Sequence, residues 1–151
     1  MKAVIQRVKR ASVTVSGELV SEIGQGYMIL LGIVEGDTMR ELDALTAKVS
    51  KLRVFADEND KMNLSIRDVG GSILLVSQFT LCADCHHGNR PAFVSAMKPA
   101  QADVLYRAFG ASLEALGVPV KYGVFGAMMD VELINDGPVT ILLEAKDGVV
   151  L

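Results

Sequence analysis

Two continuous apolar runs constrain the fold of this chain more than any other feature. Residues 27–34 have the sequence YMILLGIV, and the segment SILLVSQFTL at 72–81 contains the unbroken run ILLV at 73–76. A strand with one face in water alternates apolar and polar residues, whereas an unbroken run of this length is typical of a strand buried on both faces. The sequence therefore predicts two fully buried strands.

Helical periodicity occurs in two further stretches. Apolar residues recur at helical spacing over 38–53, and Asp37 is the expected N-cap. A second helix is expected over 99–116, with Pro99 in its first turn and Gly117 as its C-cap. Alternating patterns predict shorter strands at 3–8, 12–15, 18–23, 120–124, 130–134 and 139–144. This order predicts a single α+β domain over residues 1–151, in which a curled, barrel-like β-sheet body carries two amphipathic helices packed on one side.

The charge balance restricts the partners of the chain. It has 15 basic and 18 acidic residues and a net charge of −3, which argues against a broad basic face that grips long nucleic acid. A small basic patch still suffices to bind a short RNA end. No apolar stretch approaches the roughly 18 residues that a membrane helix needs, and two cysteines are too few for a secreted disulfide scaffold. We therefore expect a cytoplasmic protein with no membrane partner.

The first candidate site is the segment SQFTL at 77–81, which ends the second apolar run. It places two hydroxyl groups and an amide where a strand is expected to end. Core packing and hydrogen bonding to the backbone also explain these residue types. A nucleophilic hydroxyl needs a base, and the spacing of the only two histidines, His86 and His87, does not require a pair with Thr80.

The second candidate site is the segment NDGPVT at 135–140, between two apolar runs. Asn-Asp-Gly-Pro is ordinary turn chemistry between strands. A Gly-Pro bond can also be locked in the cis form, which fixes the direction of the neighbouring carbonyl groups. The sequence does not determine the isomer of the Gly137–Pro138 bond.

Together, and in this order, the two segments resemble the signature motifs of the D-aminoacyl-tRNA deacylases. The resemblance covers the whole chain and includes the opening MKAVIQRVKRASVTV and the segment GNRPAF at 88–93. It implies an enzyme without a cofactor that hydrolyses the ester bond of D-aminoacyl-tRNA, and of glycine mischarged on tRNA. The implied partners are the 3′-terminal adenosine end of aminoacyl-tRNA and a second copy of the chain in a homodimer.

The resemblance also implies roles for single residues. In the family, a Gly-Pro loop enters the active site of the partner subunit, where its backbone carbonyls face the α-amino group of the aminoacyl moiety. Gly137 and Pro138 would exclude L-aminoacyl groups by a direct clash, and Arg7 would keep the loop oriented. The residues that match supporting positions of the loop are Val139 and Thr140. The residues that match walls of the substrate pocket are Ala102, Phe125 and Met129, for which core packing is the competing explanation.

Two mechanisms of hydrolysis are open at the first segment. In one, Thr80 attacks the ester carbonyl and forms an acyl-enzyme. In the other, the backbone N–H groups of Phe79 and Thr80 hold the developing oxyanion, while the 2′-OH of the terminal ribose activates water. We favour the second, because no base for Thr80 is evident and an aminoacyl ester is already activated. Ser77 and Gln78 would then orient the substrate and the end of the strand.

The chain departs from the family pattern after the first segment. Relatives carry an aromatic residue and a basic pair before GNRP, whereas this chain has CADCHH at 82–87. Contacts with tRNA phosphates would then be weaker or would move to other cations, such as Arg90 or Lys98. An alternative function is a metal-binding or redox module built on Cys82, Cys85, His86 and His87. Adjacent histidines seldom ligate one metal, so we expect no metal site. A relative that binds RNA ends without hydrolysing them is a further alternative.

Overall fold

The computed structural model describes residues 1–151 and contains nine strands, two α-helices and one short 3₁₀ helix. The strands are β1 (Lys2–Val15), β2 (Glu18–Ile23), β3 (Gly26–Gly32), β4 (Phe55–Ala56), β5 (Met62–Leu64), β6 (Ser72–Ser77), β7 (Val120–Tyr122), β8 (Asp130–Lys146) and β9 (Val149–Val150). The helices are α1 (Met39–Lys51), α2 (Pro99–Ala115) and the 3₁₀ helix Phe79–Cys82. The principal sheet has the order β7-β6-β3-β1-β8-β9, with β2 paired to β1, while β4 and β5 form a separate hairpin.

The two apolar runs form the neighbouring strands β3 and β6, which pair in parallel inside the principal sheet. Along β6, Ile73 and Leu75 join the larger apolar cluster beneath the helices, whereas Leu74 and Val76 join a second cluster on the opposite face. All four side chains are buried. Because both faces of these strands are covered, neither strand alternates in sequence, and the prediction of two buried strands is confirmed.

Both helices cover the same face of the sheet. Helix α1 contributes Leu42, Leu45 and Val49 to the larger cluster, and helix α2 contributes Tyr106 and Phe109. These side chains pack with inward-facing residues of β1, β3 and β6. No helix is long and apolar enough to cross a membrane.

The opposite face is closed by the sheet itself. Strand β2 pairs with the second half of β1 and also contacts β6 and β7. The hydroxyl of Ser21 on β2 donates to the carbonyl of Tyr122 at 2.8 Å, and an apolar cluster that includes Val8, Val13 and Met28 fills the space between. The predicted α+β fold, a curled, barrel-like sheet with two helices on one side, is confirmed.

The NDGPVT segment is not a turn between two strands, as the sequence predicted, but part of the single strand β8. Asn135 pairs with Val8, and Thr140 pairs with Gln6. Four residues of β8, 136–139, therefore lie opposite the single residue Arg7 of β1 and bulge out of the ladder. The prediction was wrong because the long partner strand keeps both halves of β8 in register, which a local pattern does not reveal.

Three further boundaries differ from the predictions. Strand β1 is continuous where two strands were expected at 3–8 and 12–15, because it pairs with β8 on one side and with β3 and then β2 on the other. Strand β6 ends at Ser77, and the remainder of its apolar run forms the 3₁₀ helix. The N-cap of α1 is Thr38 rather than Asp37.

The first turn of α1 is held by a reciprocal pair of side chains. The hydroxyl of Thr38 accepts from the backbone N–H of Arg40 at 3.2 Å, and the Glu41 carboxylate accepts from the backbone N–H of Thr38 at 2.8 Å. Glu41 also accepts from the N–H of Gly148 at 2.7 Å, which ties the helix to the turn between β8 and β9. Asp37 instead accepts from the backbone N–H of Val34 at 2.7 Å, so its carboxylate is not free to cap the helix.

We predict that Glu41→Gln lowers stability in a pH-dependent way. The hydrogen bond from the Thr38 backbone, with smaller contributions from the Thr38 hydroxyl and Gly148, lowers the pKa of Glu41 from 4.5 to about 2. Because the folded-state pKa is depressed, this stabilisation is complete above about pH 4.5 and is lost as the pH falls toward 2. Denaturant unfolding should show a loss of roughly 1–2 kcal/mol at pH 7 that shrinks by pH 3. Glu58→Gln, in an exposed loop, is the matched control, and equal losses in both variants would contradict the prediction.

Candidate functional site

The SQFTL segment lies where the parallel strands β3 and β6 end together. We call this end of the two strands, with residues 77–81, the SQFTL edge. Leu31 of β3 pairs with Ser77 of β6, and the backbone N–H of Gln78 donates to the carbonyl of Leu31 at 2.8 Å. The 3₁₀ helix then packs across the end of β3 at Gly32. A Cβ atom at Gly32 would lie only 2.8 Å from the Cβ of Leu81, so the absence of a side chain there permits this close approach. A glycine inside a predicted strand is a signal for such a close approach, so Gly32 is the residue in the sequence that indicates this contact.

Side chains and backbone groups of the SQFTL segment are presented to solvent at this edge. Phe79 is 58% exposed and Thr80 is exposed, whereas Ser77 and Gln78 are half-buried. The N–H groups of Phe79 and Thr80 belong to the first turn of the 3₁₀ helix, where a backbone donor has no acceptor within the helix. The ring of Phe79 meets Phe93 of the GNRPAF segment edge to face, with centroids 5.1 Å apart. The two segments therefore form one surface.

The hydroxyl of Thr80 is engaged by an amide rather than by a base. The Gln78 Nε2 group donates to Thr80 Oγ1. The rings of His86 and His87 meet edge to face with centroids 4.7 Å apart, and the only hydrogen bond formed by either residue is from the His86 backbone to Asp84. No residue thus accepts a proton from the Thr80 hydroxyl.

The residues expected to line a pocket lie beside this edge. The hydroxyl of Tyr106 donates to the carbonyl of Leu75 at 2.8 Å, and its ring centroid is 5.7 Å from that of Phe125. Ala102 lies one helical turn before Tyr106 and is buried. Met129 lies under the same loop as Phe125, because its Sδ atom accepts from the N–H of Val124 at 3.4 Å.

The NDGPVT segment forms a second, separate group, which we call the Gly-Pro loop (residues 135–140). Gly137 and Pro138 are exposed and joined by a cis peptide bond, whereas Val139 is buried and anchors the loop in the core. Gly137 has a φ of +145°, and a Cβ atom there would lie 2.7 Å from the Cγ2 atom of Val139. The position therefore requires glycine.

Two side chains hold the Gly-Pro loop from behind. Arg7 donates through Nε to the carbonyl of Asp136 at 2.9 Å and through its terminal nitrogen to the carbonyl of Val54. The Asn135 Oδ1 atom accepts from the N–H of Val139 at 2.7 Å, and its Nδ2 group donates to the Thr140 hydroxyl at 3.1 Å. Asn135 has no predicted role from the sequence, although hydrogen bonding of its side chain to the backbone two to four residues farther on is the ordinary turn chemistry of asparagine.

The Gly-Pro loop does not reach the SQFTL edge of its own chain. Arg7, beneath the loop, lies level with Tyr27 and Ile73 across β1, β3 and β6. Ser77 is four residues farther along β6, about 13 Å, and three strand spacings, about 14 Å, separate β8 from β6. Because the sheet is curled, the Gly-Pro loop and the SQFTL edge of one chain are therefore roughly 15–20 Å apart.

The cysteines and histidines after the first segment do not form a metal site. No group of three or more His, Cys, Asp or Glu side chains is placed to hold a metal ion. Cys82 is buried, its Sγ atom lies 3.6 Å from the carbonyl of Ile33, and burial raises the pKa of its thiol. Cys85 is exposed. A buried thiol with a raised pKa is a poor metal ligand and nucleophile, so the alternative of a metal-binding or redox module is not favoured.

Comparisons with known proteins give one consistent result. The family model described as D-Tyr-tRNA(Tyr) deacylase matches residues 4–144. The D-aminoacyl-tRNA deacylase of Halalkalibacterium halodurans is 54% identical over 146 residues, which are 97% of this chain and 100% of that protein. The protein of the same name from Thermus aquaticus is 54% identical over 147 residues and 97% of each chain.

Two solved structures are similar to this fold. One, described as c-Myc DNA Unwinding Element Binding Protein, has a TM-score of 0.91 and 49% identity, over 97% of this chain and 99% of that chain. The other, described as a probable eukaryotic D-amino acid tRNA deacylase, has a TM-score of 0.77 over 95% of this chain and 98% of that chain. Its identity is 18%, so it is evidence for the fold alone.

Proposed function

Because this chain belongs to the D-Tyr-tRNA(Tyr) deacylase family and is a D-aminoacyl-tRNA deacylase, we propose that its SQFTL edge hydrolyses the ester while the Gly-Pro loop of a second copy screens the α-carbon. The enzyme is an aminoacyl-tRNA hydrolase, and its substrate is an aminoacyl-tRNA. Within this proposal the products are free D-amino acid and tRNA, glycine mischarged on tRNA is accepted as well, and the location is cytoplasmic.

The observation that carries the proposal is the separation of the two groups within one chain. The Gly-Pro loop is firmly held by Arg7 and Asn135, yet its tip is exposed and roughly 15–20 Å from its own SQFTL edge. A rigid loop with an exposed tip and no target in its own chain is suited to a target in another chain. A homodimer supplies that target twice, because each loop of a symmetric pair meets the edge of the other copy.

The outer edge of β8 supports association with a second copy. Strand β8 pairs with β1 on one side, but on the other side it pairs only with β9, at Ala145 and Lys146. The long remaining edge presents unpaired backbone groups, and Ile134 and Leu142 on this strand are 41% and 75% exposed. An apolar, unpaired edge of this length is a template on which a strand of another chain can pair.

Hydrolysis at the SQFTL edge requires positioning more than side-chain chemistry. The N–H groups of Phe79 and Thr80 hold the oxyanion that develops on the ester carbonyl, and the 2′-OH of the terminal ribose activates water. Gln78 fixes the Thr80 hydroxyl, and Ser77 orients the end of β6. Ala102, Phe125 and Met129 line the side of the pocket that receives the terminal adenosine.

Selection by the Gly-Pro loop works by exclusion. Backbone carbonyls at Gly137 and Pro138 receive the α-amino group and leave no space for the side chain of an L-aminoacyl group. A D side chain points away from the loop, so its size and polarity matter little. Glycine has no side chain that could clash with the loop, so glycyl-tRNA is accepted as well.

The first experiment compares the rates at which the wild type and a variant with a less rigid Gly-Pro loop hydrolyse three aminoacyl-tRNAs. Wild-type protein should hydrolyse D-tyrosyl-tRNA and glycyl-tRNA and spare L-tyrosyl-tRNA in a deacylation time course. Asn135→Ala removes the hydrogen bonds that close the loop, and we expect the ratio of D to L rates to fall by about tenfold or more. Asn59→Ala, in an exposed loop, should leave the ratio unchanged. No hydrolysis above the blank by the wild type would contradict the proposed activity.

A second experiment separates backbone from hydroxyl catalysis. Phe79 is the first residue of the 3₁₀ helix, and Gln78 before it has a φ of −140°, outside the α region that a following proline disfavours. Phe79→Pro therefore removes one N–H donor with little change of backbone and should lower kcat by roughly 10²–10³. Phe79→Ala, which keeps the donor, should retain far more activity.

The same experiment includes Thr80→Ala. We expect this variant to keep much of its activity, since the hydroxyl accepts from Gln78 and has no base. Loss of a nucleophile costs on the order of 10⁶ in kcat in serine hydrolases. A fall of Thr80→Ala to the uncatalysed rate would therefore refute the backbone mechanism and restore Thr80 as nucleophile.

A mixed dimer tests whether the loop acts in the partner. Phe79→Pro and Asn135→Ala chains carrying different affinity tags are expressed together, and the mixed dimer is isolated in two steps. Its only active SQFTL edge belongs to the Asn135→Ala chain. If the loop acts across subunits, this edge is screened by the intact loop of the other chain, and the mixed dimer should spare L-tyrosyl-tRNA. Relaxed selectivity equal to that of Asn135→Ala alone would show that the loop serves its own chain.

A further inference from the structure

A basic cleft lies away from the SQFTL edge, where the two helices end. It is bounded by the end of α1, the end of α2 and the segment 65–68 after β5, and it has a volume of about 610 Å³. Its charged residues are three cations, Lys51, Arg53 and Arg67, and one carboxylate, Asp68. The whole chain carries more acidic than basic residues, so the composition of the chain does not account for this local excess of positive charge.

The three cations carry more charge than the single carboxylate beside them, Asp68, can offset. No salt bridge involves any of them. Arg53 donates from Nε to the carbonyl of Asn63 at 3.0 Å and from a terminal nitrogen to the Asn63 side chain, which orients its guanidinium without cancelling its charge. Asp68 accepts from the backbone N–H of Ser65 at 2.8 Å. Hydrogen bonds from Ser65 and, to a smaller extent, the charges of Arg67 and Arg53 lower the pKa of Asp68, so this carboxylate offsets one of the three positive charges. The carbonyl ends of two helices, each equivalent to about −0.5 charge, offset part of the positive charge, but the net charge of +2 from the three cations and Asp68 exceeds that effect.

The position of the cleft relates it to the Gly-Pro loop. Arg53 is followed by Val54, whose carbonyl is bound by the same Arg7 side chain that binds Asp136 in the loop. The SQFTL edge of the same chain lies at the other end of α2, about 20 Å from the cleft, since 14 residues separate Ala102 from Leu116. The cleft therefore lies on the side of the molecule that carries the Gly-Pro loop, and it is distant from the SQFTL edge of the same chain.

We propose that this cleft, formed by Lys51, Arg53 and Arg67, binds backbone phosphates of the tRNA whose aminoacyl end is held at the partner's SQFTL edge. The inference rests on the proposed function, because the cleft reaches that RNA only if the Gly-Pro loop crosses to the partner. Each tRNA would thus contact both chains of the dimer: one chain cleaves the ester, and the other supplies the loop and the cleft. Phosphate contacts of this kind fix orientation and add affinity without reading sequence.

The test compares two triple variants with the same change in charge. Lys51→Gln, Arg53→Gln and Arg67→Gln are combined in one, and Lys9→Gln, Lys121→Gln and Lys146→Gln, which are exposed elsewhere on the surface, in the other. The dissociation constant of uncharged tRNA is measured over a range of salt concentrations. The cleft variant should bind about tenfold more weakly, with a salt slope reduced by roughly two to three. The control variant should retain the wild-type slope.

Kinetics distinguish lost phosphate contacts from damage to the fold. For D-tyrosyl-tRNA, the cleft variant should raise KM by about tenfold and leave kcat within about twofold. Hydrolysis of D-tyrosyl-adenosine, an ester without phosphates, should be unchanged. A double variant, Lys51→Gln with Arg67→Gln, retains the bonds of Arg53 to Asn63 and should show a smaller change of the same kind.

Three outcomes would overturn the inference: an unchanged KM and salt slope, equal effects in the control variant, or an equal loss with D-tyrosyl-adenosine. Failure of the proposed function is a different result. In that case the wild type hydrolyses no ester, while the binding measurement with uncharged tRNA still reports on the cleft.

Discussion

The antiparallel pairing of β1 with β8 is the constraint on which both the fold and the site depend. It joins the two strands from Lys2 with Glu144 at one end to Thr14 with Asp130 at the other. Because the ladder continues on both sides of residues 136–139, the Gly-Pro loop is a bulge fixed at both ends rather than a free turn. Arg7, the residue that the bulge faces, can then bind the loop carbonyl at Asp136 and the Val54 carbonyl beyond α1 with one guanidinium.

The proposed site depends on backbone geometry more than on titrating side chains. In the proposed mechanism, the SQFTL edge offers a substrate the N–H groups at the start of a short helix, and the Gly-Pro loop offers backbone carbonyls. Their placement depends on close approaches that only glycine permits, at Gly32 and Gly137. Arg7 and Asn135 act on the loop through carbonyl and N–H groups rather than by contact with a substrate.

The sequence predicted the layers of the fold well, because buried strands and amphipathic helices leave periodic patterns. The apolar runs gave β3 and β6, and the helical spacing gave α1 within a residue or two of its observed ends. It did not predict the continuity of β8, since pairing with a strand more than a hundred residues away leaves no local pattern. It also misplaced the N-cap at Asp37, although Thr38 followed by Glu41 carries the reciprocal pattern of a capping box. The residues of the candidate site came from the resemblance of two motifs, and their separation within one chain became visible only in the fold.

The bulge that carries the Gly-Pro loop also exchanges the faces of β8. Before it, Val131 and Leu133 pack into the smaller apolar cluster, and after it, Ile141 and Leu143 pack into the larger one beneath the helices. All four are odd-numbered, so a regular strand would point them all to the same side. The three extra residues of the bulge make the change possible. Shortening the loop by a single residue would point the side chains of half of β8 to the wrong faces of the sheet, so the packing of the core fixes the length of the loop.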